Sequence, residues 1–334
     1  MSSTSTDPPQ SLPRTGQPTT LQGSASARKE RVERADQKLQ AIRGEYPFRS
    51  HFAQVGGKEH PDTWMHYIDE GPEAAPALVF LHGNPTWSFA WRRAVRTLSE
   101  RYRCIALDHV GCGLSDKPKN FPYRLANHID GAERLVQFLQ LERFSLVAHD
   151  WGGAIAMGLA RRQPKRIERI ALANTAAFPF GRIPWRIAAC RVPLFGKLAV
   201  RGLNAFARAA LYMTVEKPLP PTVKRGYVLP YSDYKNRIGV SSFVDDIPMA
   251  KDHPSRAELE SIALALGRFE DQPVHLLWGM RDWCFTPAFL EEWTRIWPKA
   301  QVTRFDQAGH YVFEDEAKAF VSTLETFFAP LHRS

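Results

Sequence analysis

Residues 147–160 read VAHDWGGAIAMGLA, an apolar run that meets an aspartate, a tryptophan and two glycines before it turns helical. The stretch 144–148 is short, mostly apolar and bounded by polar residues, the pattern of a strand buried within a parallel sheet. From Ala154 onward Ile155, Met157 and Leu159 continue a helical pattern that ends near Pro164. Asp150 therefore lies on a strand-to-helix turn. An aspartate in that place has two readings, a reactive group displayed at the turn or the N-cap of the following helix. The rest of the chain decides between them.

Alternation of the same kind runs along most of the 334 residues. Strand-like runs at 52–55, 64–67, 77–81, 103–107, 144–148, 167–173, 274–278 and 301–305 are mostly separated by helical patterns, such as 127–140 and 287–297. This order predicts an α/β fold, a mostly parallel central sheet with helices on both faces. The alternation lapses after about Thr175 and resumes near Arg256, and the interval is proline-punctuated, aromatic and basic. It predicts an inserted helical cap at 178–256, with the core formed by 45–177 and 257–330. The turn at Asp150 resembles the nucleophile elbow of α/β-hydrolases, where small residues two before and two after the nucleophile let the backbone bend sharply. Here those residues are Ala148 and Gly152, and aspartate replaces the usual serine.

Residues 1–26 are mainly Ser, Thr, Pro, Gln and Gly, too polar to bury a core, and predict a disordered tail. The segment ARKERVERADQKLQAIRG, 27–44, is charged on nearly every face and predicts a solvated helix linking that tail to the core. No apolar stretch reaches the roughly 18 residues that span a bilayer, and the N-terminus carries no apolar signal region. Cys104, Cys112, Cys190 and Cys284 are scattered without a C-x-x-C pair, so neither a metal site nor a disulfide framework is expected, and a cytoplasmic location fits. The net charge of +9 is concentrated in the predicted cap, where 178–256 holds 13 Lys and Arg against 5 Asp and Glu. The stretch WRIAACRVPLFGKLAVRGLNAFARAALYM interleaves those charges with apolar residues as a basic amphipathic helix does. A hydrophobic small-molecule substrate, an acidic partner or peripheral contact with the inner membrane is expected in preference to nucleic acid. A cap with a merely solvated basic face is the alternative.

Ligands of open α/β sheets bind beyond the C-terminal ends of the strands, and four further candidates lie there. Asn84, in FLHGNPTWSFAWR, follows the third predicted strand; its amide can hold a leaving anion or an oxyanion, or it serves only to form the Asn84-Pro85 turn. Trp151 adds a backbone N–H aimed at the oxyanion position and an indole N–H that donates and never accepts. Asp282, in GMRDW, stands at a strand end suited to orienting a histidine, and His310, in FDQAGHYVFEDE, follows the last strand. The order nucleophile, acid, histidine is that of α/β-hydrolases, and 28 residues between Asp282 and His310 leave room for one helix and one strand. His82, His109 and His149 flank the same loops and are assigned structural roles.

A carboxylate suits displacement at an alkyl carbon, with an ester intermediate, better than serine chemistry at acyl carbons. Haloalkane dehalogenases and epoxide hydrolases work this way; for the latter Tyr212, Tyr227, Tyr231 and Tyr234 are available, whereas HGNPT with Trp151 looks like the two-donor halide site of the former. The phrases HGNPTWSF, DHVGCGLSDKP, HDWGGAIAMG, NTAAF, RGLNAFA, NRIGVSSFVDDIP, DWCF and DQAGHYVFED together resemble a dehalogenase-like branch, the β-lactone decarboxylases of bacterial long-chain olefin biosynthesis. That resemblance implies a carbon–carbon lyase that converts cis-3,4-dialkyl-β-lactones into cis-alkenes and carbon dioxide without a cofactor. It implies Asp150 as nucleophile, Asn84 and Trp151 as stabilisers of developing negative charge, and Asp282 as the partner of His310. It leaves open whether the carbonyl or the alkyl carbon is attacked and whether His310 activates water. It further implies assembly with the ligase and reductase of the same pathway.

Overall fold

A computed structural model of the chain describes residues 25–181, 187–188, 191 and 198–333. The predicted tail lies outside them except for residues 25 and 26, which already belong to helix α1 (Ala25–Leu39). Eight strands form one sheet: β1 (His51–Gln54), β2 (Trp64–Glu70), β3 (Ala77–Leu81), β4 (Arg103–Leu107), β5 (Phe144–His149), β6 (Ile167–Ala173), β7 (Val274–Gly279) and β8 (Gln301–Phe305). Their spatial order is β1-β2-β4-β3-β5-β6-β7-β8. The β1–β2 and β2–β4 pairs are antiparallel, and every pair from β4 to β8 is parallel.

Strand alternation builds two cores. On β3, Ala77, Val79 and Leu81 face one side and Leu78 and Phe80 the other, and all five are buried. The first face is covered by α3 (Leu125–Phe138), α4 (Trp151–Arg162), α8 (Arg256–Ala265) and α9 (Pro287–Ile296), through Ile129, Ile155, Ile262 and Trp293 among others. The second is covered by α2 (Arg92–Leu98) and α11 (Ala317–Phe328), through Val95, Leu98, Phe320 and Leu324. Between β6 and α8 the chain leaves the sheet and forms α5 (Ala205–Met213), α6 (Pro221–Val228) and α7 (Ile238–Asp245). Arg237 holds this region together: its guanidinium donates to the carbonyls of Tyr231, Arg201, Gly202 and Ser232.

Helix α1 departs from the solvated linker predicted for 27–44. Ala35 and Leu39 are buried, the Arg31 guanidinium donates to Asp116 at 3.1 Å, and it lies 4.9 Å from the centre of the Trp64 ring. Long cationic side chains cover apolar surface with their stems while the charged heads find partners, so a helix charged on most faces can still dock. Among the described residues no helix is long and apolar enough to cross a membrane.

Candidate active site

Asp150 joins β5 to α4 with φ 53° and ψ −129°, a backbone state rarely held by a residue with a side chain. Its surroundings hold it there. The Asp150 N–H donates to the Asn174 carbonyl at 3.2 Å, and the Asp150 carbonyl accepts from the Gly153 N–H at 2.9 Å and from the Thr175 hydroxyl. Small neighbours make the bend possible: a Cβ on Gly152 would come within 2.2 Å of the Leu81 carbonyl, and one on Gly83 within 2.2 Å of Asp150 Oδ1. The Asp150 side chain makes no capping bond to α4. The N-cap reading therefore falls, and the carboxylate is displayed at the turn.

The backbone N–H of Asn84 donates to Asp150 Oδ1 at 2.8 Å. Oδ1 is thus anchored, and Oδ2 lies 3.7 Å from His310 Nε2. His310 Nδ1 bonds Asp282 Oδ2 at 2.8 Å, and the other Asp282 oxygen accepts from the Cys284 N–H at 2.6 Å. Asp150, Asp282 and His310 are exposed by only 7%, 2% and 4%, so their electrostatics are poorly screened by water. Burial raises the Asp150 carboxyl above its ordinary value, against the opposing pull of His310 and of the Trp151 and Asn84 N–H groups. Burial pushes the His310 imidazole down, but the charge and hydrogen bond of Asp282, with Asp150 beyond, outweigh it and hold it above its ordinary range.

All five residues singled out in the sequence converge here. Asn84, Asp150, Trp151 and His310 line one cavity of about 710 Å³, and Asp282 stands behind His310. The Asn84 amide spends one N–H on the Val240 carbonyl of α7, at 3.1 Å, which ties the loop after β3 to the cap. The Trp151 indole packs 5.3 Å from Phe243 of the same helix. Elsewhere the cavity wall is largely apolar, with Phe178, Phe206, Val244, Leu259 and Phe289 among its residues. The four tyrosines available for epoxide opening do not reach it. Tyr227 donates to Glu314 and Tyr231 to the Thr86 carbonyl, while Tyr212 and Tyr234 are 68% and 51% exposed.

The three histidines that flank these loops are struts. His82 Nε2 accepts from the His109 N–H at 3.0 Å, and His109 Nε2 returns a bond to the His82 carbonyl at 3.0 Å, clasping the loops after β3 and β4. His149 Nε2 bonds the His310 carbonyl at 2.9 Å, and burial followed by the neighbouring His310 pushes its imidazole well down, so it donates as a neutral ring. Two supporting residues escaped the sequence reading. Asn174 accepts from Asp150 on one side, and its side-chain amide exchanges two bonds with Gly279 on the other, which couples the end of β5 to the end of β7. Asp315 accepts from the N–H groups of Gly309, Glu216 and Lys217, which joins the His310 loop to the cap. Position in NTAAF or in FEDE is the only signal for either, and it does not name the partners.

A family model described as the alpha/beta hydrolase fold matches residues 76–317. The chain belongs to the α/β-hydrolase family. Among the relatives of this α/β-hydrolase is a cis-3-alkyl-4-alkyloxetan-2-one decarboxylase of Xanthomonas campestris pv. campestris, 41% identical over 80% of this chain and 93% of the relative. Another of the same name, from Shewanella oneidensis, is 39% identical over 84% of this chain and 88% of the relative. The crystal structure of a haloalkane dehalogenase from Bradyrhizobium elkani superposes with a TM-score of 0.77 at 26% identity, over 86% of this chain and 99% of that one. The hydrolase fold thus agrees in sequence and structure, and the decarboxylases stand nearer in sequence than the dehalogenase.

Proposed function

We propose that this α/β-hydrolase removes carbon dioxide from cis-3,4-dialkyl-β-lactones and releases cis-alkenes. The observation that carries the reading is the Asp150 carboxylate, anchored by Oδ1, with Oδ2 set toward His310 at the head of a large apolar cavity. The two decarboxylase relatives, similar across most of this chain, support the substrate class.

The chemistry proposed is displacement at the alkyl ring carbon rather than at the carbonyl carbon. Asp150 Oδ2 attacks the ring carbon that bears the ring oxygen, and that carbon–oxygen bond breaks with its electron pair leaving on oxygen, so that the lactone carbonyl becomes a carboxylate. Donors from Asn84 and Trp151 at the same end of the cavity stabilise the new anion, a contribution of about 3 kcal/mol in a dry site. The bond from the neighbouring carbon to that carboxylate then breaks and its pair forms the alkene. As it does so the Asp150 ester bond breaks, and its pair returns to Asp150. Inversion followed by anti elimination keeps the cis relationship of the chains, and neither water nor a proton is consumed. His310, held by Asp282, stabilises the departing Asp150 carboxylate.

Ester hydrolysis after halide release is the second reading, favoured by the placement of Asn84 and Trp151 together beside Asp150. Separate incubations with a dialkyl β-lactone and with a bromoalkane distinguish the two. Alkene from the lactone without bromide from the bromoalkane is expected; bromide without alkene overturns the proposal. In heavy-oxygen water the Asp150 peptide should stay unlabelled after many lactone turnovers, because no water cleaves the ester.

A further inference from the structure

The outer face of α5 continues the lining of the cavity to the molecular surface. Ala205, Arg208, Ala209, Tyr212 and Met213 share one stripe of this helix at spacings of three and four residues, while Ala207, Ala210 and Leu211 turn inward and are buried. Ala205, Ala209 and Met213 also line the cavity. Next to α5, in the turn of helix Leu198–Gly202 and just after it, Leu198 and Leu203 are 62% and 66% exposed, comparable with Tyr212. Large apolar side chains gathered at a cavity mouth mark an interaction surface.

The charges around this stripe select its partner. Between residues 198 and 229 the cations are Arg201, Arg208, Lys217, Lys224 and Arg225; the single acid, Glu216, is paired with Arg281 at 3.0 Å, and Lys217 with Glu316 at 2.6 Å, which leaves Arg201, Arg208, Lys224 and Arg225. Lys224 Nζ lies 4.2 Å from the centre of the Tyr212 ring and the Arg201 guanidinium 4.0 Å from that of Tyr234, so cations flank the exposed aromatics. Apolar side chains bordered by Lys and Arg match an anionic lipid headgroup layer with acyl chains beneath it. We infer that the cap docks through the exposed face of α5 and Leu203 on an anionic membrane surface, with the cavity mouth turned toward the lipid. The docking inference stands on this surface alone; delivery of a two-chain lactone straight from the bilayer rests on the decarboxylase reading.

Flotation of the full chain with lipid vesicles tests it. Vesicles containing phosphatidylglycerol should carry the protein upward, vesicles of phosphatidylcholine alone should carry much less, and added salt should weaken the binding. Leu203→Glu and Tyr212→Glu, which each add one negative charge, should lower the partition coefficient by about fivefold or more, and Arg208→Glu, which reverses a charge, by roughly thirtyfold. An unchanged melting temperature and unchanged turnover of a short-chain, water-soluble lactone would show that these variants remain folded and competent. Failure of the wild type to float with anionic vesicles overturns the inference, as does binding that the three variants leave intact. Concentration-dependent self-association abolished by the same substitutions, without vesicle binding, assigns the face to a second copy instead. Loss of lactone turnover in every protein with vesicle binding preserved sinks only the catalytic reading.

Discussion

Asp150 carries a negative charge into a site that is 7% exposed, and the cost of that burial raises its pKa. Two predictions follow at this scale. The nucleophile is lost on protonation, so the acid limb of kcat/KM should lie above 3.8, the ordinary value for an aspartate; a pH–rate profile with its limb at or below that value contradicts the assignment. The same shift bears on stability. A carboxyl whose pKa is raised on folding contributes stability that is fully present below its unfolded value and lost as pH rises through the folded one. Above the folded value that contribution is gone, and an uncharged side chain of the same shape retains it. Asp150→Asn should therefore melt at or above the wild-type temperature, by roughly 2–4 °C for each kcal/mol recovered, while turnover drops by roughly 10⁴-fold or more. Calorimetry beside a steady-state assay checks both; a variant that unfolds several degrees earlier would show that the charge itself supports the fold.

The short helix α10 (Val312–Asp315) and the start of the cap act as one joint. Asp315 Oδ2 accepts from Gly309 at 2.8 Å and Oδ1 from Lys217 at 3.0 Å, while the Tyr311 N–H donates to the Thr214 carbonyl at 2.8 Å. Gly309 immediately precedes His310, so this carboxylate sets where the imidazole stands relative to Asp150. Asp315 is a positioning residue: it touches no reacting atom. Asp315→Asn weakens bonds to the donors on both sides, and kcat should fall by roughly 10- to 100-fold through misplacement of His310, with KM little changed. Equal losses in stability and in both kinetic parameters would instead indicate a purely structural role.

Across the whole molecule, one buried ion pair ties distant parts of the chain together. Arg92 of α2 meets Glu314 at 2.5 and 3.1 Å, Tyr227 of the cap donates to the same carboxylate at 2.6 Å, and Glu45 of the N-terminal segment lies 3.5 Å from Arg92. Both charged side chains of the pair are only 1% exposed, so removing Glu314 leaves Arg92 buried with only the more distant, partly exposed Glu45 as a carboxylate partner. Glu314→Ala should destabilise the fold by about 3–5 kcal/mol, read as a lower midpoint in denaturant unfolding. A change below about 1 kcal/mol would mean that water replaces the lost carboxylate.

Local chemistry in the sequence determined the sheet, its flanking helices and the five residues at the cavity head, because each leaves a short-range mark. Buried parallel strands read as short apolar runs, a tight turn needs Ala148 and Gly152 around Asp150, and loops that follow strands in order place Asn84, Asp282 and His310. Tertiary structure alone decided which donor serves which oxygen. The Asn84 N–H turns to Asp150, Tyr227 and Tyr231 spend their hydroxyls away from the cavity, and α1 docks despite its charge. Asn174 and Asp315 belong to the same class, since their bonds join residues 105 and 98 positions apart. Hydrogen bonds between distant segments depend on where folding brings two backbones within about 3 Å, and no periodicity along the chain records that distance.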